Sequence, residues 1–91
     1  MKPIDRRIAA VKSALIRGFG FTGDGPTSLE DPAVELALLE AALAVLAKTG
    51  EGRRAAKRAA AQLRVEELLS FDEQRLNIAA AAVLLESAAR R

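Results

Sequence analysis

The sequence contains no cysteine, histidine, tryptophan or tyrosine. Without cysteine the chain forms no disulfide and has no thiolate nucleophile. Without histidine it lacks the commonest metal ligand and the side chain that most often exchanges protons near neutral pH. No serine lies in a spacing that would supply its own base. We therefore expect no metal, no cofactor and no catalytic activity.

Long uncharged runs are also missing. The longest extends over ten residues from Leu76 to Leu85, about half of the ~20 residues that a membrane-spanning helix needs. The N-terminal segment is basic, but Lys12 and Arg17 interrupt any apolar stretch that could form the core of a signal peptide. The sequence thus predicts a soluble, cytoplasmic protein that does not enter a membrane.

What the chain does have is apolar residues in helical patterns. They make up 51% of its 91 residues, and the formal net charge is only +2. In the first segment Ile4, Ile8, Val11 and Leu15 recur at the spacing of one helix face. The whole pattern predicts an all-α, four-helix, bundle-like single domain spanning residues 1–91. The predicted helices cover residues 3–17, 29–48, 52–69 and 71–89, with a long glycine-rich loop between the first two.

Helix boundaries are marked at the first connection. Gly18 is placed to end the first helix in a left-handed conformation, with Phe19 folding back onto the last turn. The second helix has two overlapping start signals. Ser28 with Asp31 resembles a capping box, and Asp31 followed by Pro32 would serve as N-cap and first helical residue.

The later connections are predicted to be short. Gly50 is placed to end the second helix, and a second capping box starting at Ser70 opens the fourth almost without a loop. The third helix carries apolar residues on two opposite sides, so it is either packed between two partners or broken near Arg64. One side holds Ala55, Ala56, Ala59 and Leu63, and the other holds Ala61, Val65, Leu68 and Leu69.

The second and fourth helices are apolar nearly all the way round. From Ala33 to Ala47 only Glu35 and Glu40 interrupt the apolar residues of the second, and from Leu76 to Leu85 only Asn77 interrupts those of the fourth. Such helices must lie centrally in a core or against another subunit. We predict a homodimer, with Glu40, Leu43, Asn77 and Leu84 as candidate interface or specificity residues. The alternative is that these two helices form an inner pair covered by the first and third.

Two of these polar residues have further interpretations. A buried Asn77 would fix register or oligomeric state. A buried Glu40 would have a raised pKa and could act as a general acid or base, whereas an ion pair with a neighbouring arginine or a place at an interface rim would make it structural.

A different class of function rests on cations and phenylalanines. Residues 17–21 resemble the core of the RNP1 motif of RNA-recognition modules, in which exposed aromatic rings stack on bases. The resemblance implies contacts to single-stranded nucleic acid, although that motif lies on a strand and this chain predicts none. The structural alternatives are a solvated charged face and two rings that plug the bundle end. The candidate contacts to nucleic acid or another anion are Arg53, Arg54, Lys57, Arg58, Phe19 and Phe21.

The leading hypothesis from the sequence is a non-catalytic, self-associating structural or interaction module. The alternative is a weak binder of anions or single-stranded nucleic acid. Repeated capping signals and Ala-, Leu-, Glu- and Arg-rich helices are typical of de novo designed chains, whereas the long glycine loop is not. Both origins are compatible with the pattern.

Overall fold

Four α-helices account for most of the chain, as predicted. The computed structural model describes residues 3–21 and 31–90. Its radius of gyration is 12.6 Å, and its extents of 34 × 34 × 21 Å make the domain flat along one axis. The predicted Ser28 cap and most of the predicted glycine-rich loop lie outside the described residues. The helices are α1 (Pro3–Phe19), α2 (Pro32–Leu46), α3 (Gly50–Leu69) and α4 (Asp72–Ala89).

The core is formed mainly by α1, α3 and α4. Helices α3 and α4 contact each other most extensively, α1 lies against both, and α2 packs chiefly on α1. Val11, Leu63 and Leu85 are the largest fully buried side chains, and buried alanines surround them. Small residues let the helix axes approach closely. The alternative of an inner pair formed by α2 and α4 is therefore wrong, because α2 lies at the edge.

Helix α1 ends later than the sequence predicts. Gly18 is helical, and the left-handed residue is Gly20, with a φ of +71°. The N–H of Gly20 donates to the carbonyl oxygen of Ile16 at 3.0 Å, and the N–H of Phe21 donates to that of Leu15 at 3.4 Å. Gly18 instead gives α4 room to approach, because a β-carbon there would lie 2.7 Å from a methyl group of Leu85. The prediction that Gly18 is the stop was wrong because this packing keeps it in the helix.

Of the two predicted start signals of α2, the Asp31–Pro32 signal is confirmed, and the helix begins at Pro32 and not at residue 29; its end is corrected. Asp31 caps the helix by accepting a hydrogen bond from the N–H of Ala33 at 2.9 Å, and Pro32 is the first helical residue. The helix ends at Leu46, and Gly50 does not stop it but begins α3. The cap of α3 is Thr49, whose hydroxyl oxygen accepts a hydrogen bond from the N–H of Gly52 at 2.9 Å.

The corner between α3 and α4 is as short as predicted, but its caps differ. Ser70 is not the N-cap of α4. Its hydroxyl donates to the carbonyl oxygen of Glu66 at 2.7 Å, which closes the end of α3. Phe71 occupies the N-cap position without a side-chain hydrogen bond. Asp72 then adopts a left-handed φ of +57°, a conformation that aspartate and asparagine tolerate better than most residues.

Helix α3 is continuous through Arg64. Of its two apolar sides, the one containing Ala56, Ala59 and Leu63 is buried. Val65, Leu68 and Leu69 of the opposite side are exposed. The helix is therefore not broken near Arg64. Within one chain, other helices cover only one of its two apolar sides, so it is not packed between two layers either.

Candidate interaction surface

The α3–α4 corner carries the most exposed large apolar side chains of the described residues. Because only two residues connect the helices, the chain reverses at a projecting tip, and the first turns of α4 have no neighbouring helix to cover them. Every residue from Leu68 to Asn77 except Ser70 is exposed. The exposed fractions are 75% for Leu68 and Leu69, 80% for Phe71 and 69% for Leu76.

The same apolar surface continues along α3. Residues four and three positions apart on a helix lie on one face, so Ala61, Val65 and Leu68 form one stripe, and all three are exposed. Towards the N-terminus the stripe continues into Arg54, Lys57 and Arg58. We call the stripe formed by residues 54, 57, 58, 61, 65 and 68 the α3 outer face.

The two glutamates beside Val65 do not lie on this face, because both are held in ion pairs. Glu66 pairs with Arg17 of α1. Glu67 pairs with Arg64 at 2.9 Å. The α3 outer face is therefore basic in its N-terminal half and apolar in its C-terminal half.

Cations of the described residues fall into two groups. The first group pairs with glutamates: Arg7 with Glu40 at 3.5 Å, Lys12 with Glu35 at 3.0 Å, and Arg17 and Arg64 as given above. The second group has no carboxylate within ion-pair distance among residues 3–21 and 31–90. It includes the four candidate anion contacts Arg53, Arg54, Lys57 and Arg58.

Arg64 joins α3 to α4. Its guanidinium donates to both carboxylate oxygens of Glu86, at 2.7 and 3.1 Å, and to Glu67 at 2.9 Å. The hydrogen bonds from Arg64, with a smaller electrostatic contribution, hold the pKa of Glu86 below its usual range. The same hydrogen bonds, first to Glu86 and then to Glu67, raise the pKa of Arg64. Arg64 therefore has a structural role and does not belong to the free basic group.

Helix α2 presents a second exposed apolar face. Val34, Leu38 and Val45 are exposed along it. Its two glutamates do not interrupt this face, because Glu35 and Glu40 turn back to Lys12 and Arg7 of α1. The face is consequently uncharged from end to end.

Three of the four candidate interface residues lie together, and Asn77 does not join them. Glu40, Leu43 and Leu84 line one cavity of about 350 Å³, together with Arg7. Leu43 is buried and Leu84 packs against the core, so both are structural within the single chain. Glu40 is exposed in its ion pair, as its structural interpretation proposed, and has no buried carboxyl group. Asn77 is exposed at the tip, which corrects the expectation of a buried amide.

The nucleic-acid candidates do not converge on one surface. Phe19 packs against the core, as expected for a plug, whereas Phe21 is 47% exposed. The Arg17–Glu66 pair places the end of α1 beside Glu66. The candidate cations precede Glu66 by 8 to 13 residues on α3, roughly 12–20 Å along the helix axis. Residues 17–19 are helical, so they lack the strand geometry of the RNP1 motif.

Part of this surface was predictable from the sequence. The second apolar side of α3 was visible from helical periodicity, but its exposure was not. Phe71 and Leu76 were missed, because each also fits a buried position of a helix start. No signal in the sequence distinguishes these two positions from buried ones, because their exposure depends on how the helices pack.

The described residues form neither a metal site nor a membrane-spanning helix. Within residues 3–21 and 31–90, no group of three or more acidic side chains is placed to share a metal ion. None of the four helices combines the length and hydropathy that crossing a membrane requires. No family model, curated protein or solved structure is significantly similar to this chain. The geometry alone therefore defines a compact, all-α domain of four helices with exposed apolar faces.

Proposed function

We propose that this chain is a non-catalytic interaction module that self-associates. The observation that carries the proposal is the α3–α4 tip, where Leu68, Leu69, Phe71 and Leu76 are all at least 69% exposed. Contiguous apolar patches of this kind on a small domain mark surfaces that bind other proteins. Burying them between two copies removes apolar area from water, which is the main driving force for association.

The charge distribution supports the same function. Four cations on α1 and α3 are already used to join helices within the chain. The exposed apolar face of α2 and the C-terminal half of the α3 outer face carry no charged residue, and depletion of charge is characteristic of the centre of a protein–protein interface. An apolar face is also compatible with itself, because two copies brought together do not meet like charges there.

Light scattering after size-exclusion chromatography tests the proposal. We expect a mass of twice the 9.7 kDa chain, with no absorbance at 260 nm beyond that of the phenylalanines. The protein is run over a tenfold dilution series at low and high salt, because apolar burial persists in salt whereas surface charge attraction is screened. A mass of one chain at every concentration would refute self-association.

A second candidate function has a specific observation in its favour. Arg53, Arg54, Lys57 and Arg58 have no carboxylate partner among the described residues. Clustered cations of this kind bind phosphates in a salt-dependent manner. Absorbance at 260 nm that co-elutes at low salt and is lost at high salt would favour this anion-binding function over self-association.

A further inference from the structure

The α3–α4 unit has a charge pattern that is antisymmetric about Val65. Arg58 and Lys57 lie seven and eight residues before Val65, and Asp72 and Glu73 lie seven and eight residues after it. All four side chains are exposed. The pattern therefore runs from positive through apolar to negative, with equal spacing on either side of one residue.

Other charges close to Val65 do not disturb this pattern. Arg64 is held by Glu67 and Glu86, and Glu66 is held by Arg17. Among the described residues, none of the four outer charges has an ion-pair partner within the chain. The exposed charges without an ion pair are thus mainly positive at one end, where Arg54 accompanies Lys57 and Arg58. At the other end Asp72 and Glu73 outnumber the single cation Arg75.

The N-terminal half of this pattern follows α3, and its C-terminal half crosses the corner into α4. Seven residues are about two helical turns, or roughly 10 Å, so Arg58 lies on the same side of the helix as Val65. At the other end, the two-residue connection keeps Asp72 and Glu73 beside the C-terminal end of α3. Between the two charged ends lie Ala61, Val65, Leu68 and Leu69, all exposed.

From this juxtaposition we infer that two copies of the chain pack α3 against α3 in antiparallel orientation, about a two-fold axis at Val65. Each copy then places Lys57 and Arg58 opposite Asp72 and Glu73 of the other. The small Ala61 faces the large Leu69 of the second copy, four residues from the axis on either side. A two-fold interface has to be self-complementary in this manner. The inference rests on the proposed self-association and assigns its site.

Other classes of partner fit this surface less well. A nucleic acid or an anionic lipid surface would attract Lys57 and Arg58 but would be repelled by Asp72 and Glu73 on the same surface. A partner protein of one charge sign would meet the same conflict. Only a partner with both signs in reverse order satisfies both ends, and a second copy in antiparallel orientation supplies that order.

Charge reversal at either end tests the inference. In the acidic variant K57E/R58E both ends are negative, and in the basic variant D72N/E73K both ends carry positive charge. Asparagine is used at position 72 because it tolerates the left-handed φ of +57°. We expect each variant alone to dimerise about tenfold or more weakly than the original chain. An equimolar mixture of the two should recover the dimer, because the ends are then complementary.

The control is the double variant R6E/K48E, which changes the net charge by the same amount as K57E/R58E. Arg6 and Lys48 are exposed and lie outside α3 and α4. This control should remain a dimer, and far-UV circular dichroism should show all variants folded. A dimer that survives both reversals, or a mixture that fails to restore it, would overturn the α3 arrangement while leaving self-association intact. If the original chain is a monomer, both the α3 arrangement and self-association are refuted. Salt-sensitive binding of nucleic acid by that monomer would then indicate that Lys57 and Arg58 bind an anion instead.

Discussion

Gly52→Ala is expected to lower the free energy of unfolding by about 2–3 kcal/mol, the upper part of the range for overpacked sites. Gly52 is buried in the first turn of α3, where the chain reverses from α2. A β-carbon at this position would lie 1.9 Å from the carbonyl oxygen of Leu46 and 3.0 Å from the hydroxyl oxygen of Thr49. No side-chain rotation relieves the first contact, because Leu46 contributes a backbone atom.

The connection between α2 and α3 must therefore move away from Gly52→Ala, and this movement weakens the N-cap hydrogen bond of Thr49. Its hydroxyl accepts the N–H of Gly52 at 2.9 Å, and loss of an N-cap costs about 1 kcal/mol. The better helix propensity of alanine offsets only about 1 kcal/mol. For a domain whose total stability is on the order of 5–13 kcal/mol, the net loss is large.

Gly50→Ala is the matched control, since it makes the same change two residues earlier in the same turn. There a β-carbon would meet only the ends of the Arg54 and Arg53 side chains, at 3.4 and 4.0 Å. We expect no loss of stability and a gain of up to about 1 kcal/mol. Urea unfolding followed by circular dichroism measures both variants, because the chain lacks tryptophan and tyrosine. Equal stability of the two variants would contradict the close approach at Gly52.

Leu85→Ala is expected to destabilise the domain by about 3 kcal/mol, within the range for truncated core leucines. Leu85 is fully buried, and its methyl group fills the space over Gly18 of α1. Gly18→Ala alone should also destabilise, by about 1 kcal/mol, because overpacking outweighs the gain in helix propensity.

Combining these two changes should give a non-additive result. Once Leu85 is truncated, the new methyl group at position 18 enters the vacated space, and Gly18→Ala becomes stabilising by up to about 1 kcal/mol. The expected coupling is therefore about 2 kcal/mol, as found for residues in direct contact. Gly50→Ala in the Leu85→Ala background is the control and should be additive. Additive behaviour of Gly18→Ala as well would mean that α1 and α4 do not meet at Gly18.

Helix boundaries were predictable from the sequence where adjacent residues determine them. The Asp31–Pro32 start of α2 was predictable, because the cap and the first helical residue are set by adjacent residues. The end of α1 was not predictable, because either Gly18 or Gly20 could end the helix. Gly18 remains helical and packs against Leu85 of α4, a contact that the sequence does not reveal. Ser70 was misassigned for a similar reason: its hydroxyl can cap either of two helices, and it bonds back to Glu66.

The candidate surface was predictable only in part, because exposure depends on tertiary packing. The run of apolar residues in α2 predicted a helix in the centre of the core or against another subunit, but the sequence could not show that Glu35 and Glu40 turn towards α1. It could not show either that α2 lies at the edge of the domain. Likewise, the apolar side of α3 around Val65 is visible from periodicity, whereas its lack of a partner within the chain is not.

Val65 lies on the two-fold axis of the proposed dimer. The chain contains no cysteine, so the single variant Val65→Cys introduces one thiol per copy. On the axis the two thiols of a dimer face each other, within reach of the short separation that a disulfide requires. Val45→Cys is the matched control on α2, because Val45 and Val65 are 61% and 59% exposed.

The rate of covalent dimer formation under mild oxidation is therefore the most direct measurement. The proposed arrangement predicts that Val65→Cys forms a disulfide-linked dimer rapidly and nearly completely, while Val45→Cys reacts slowly and only through random collisions. Equal rates would contradict a two-fold axis at Val65. A faster reaction of Val45→Cys would move the interface to the uncharged face of α2.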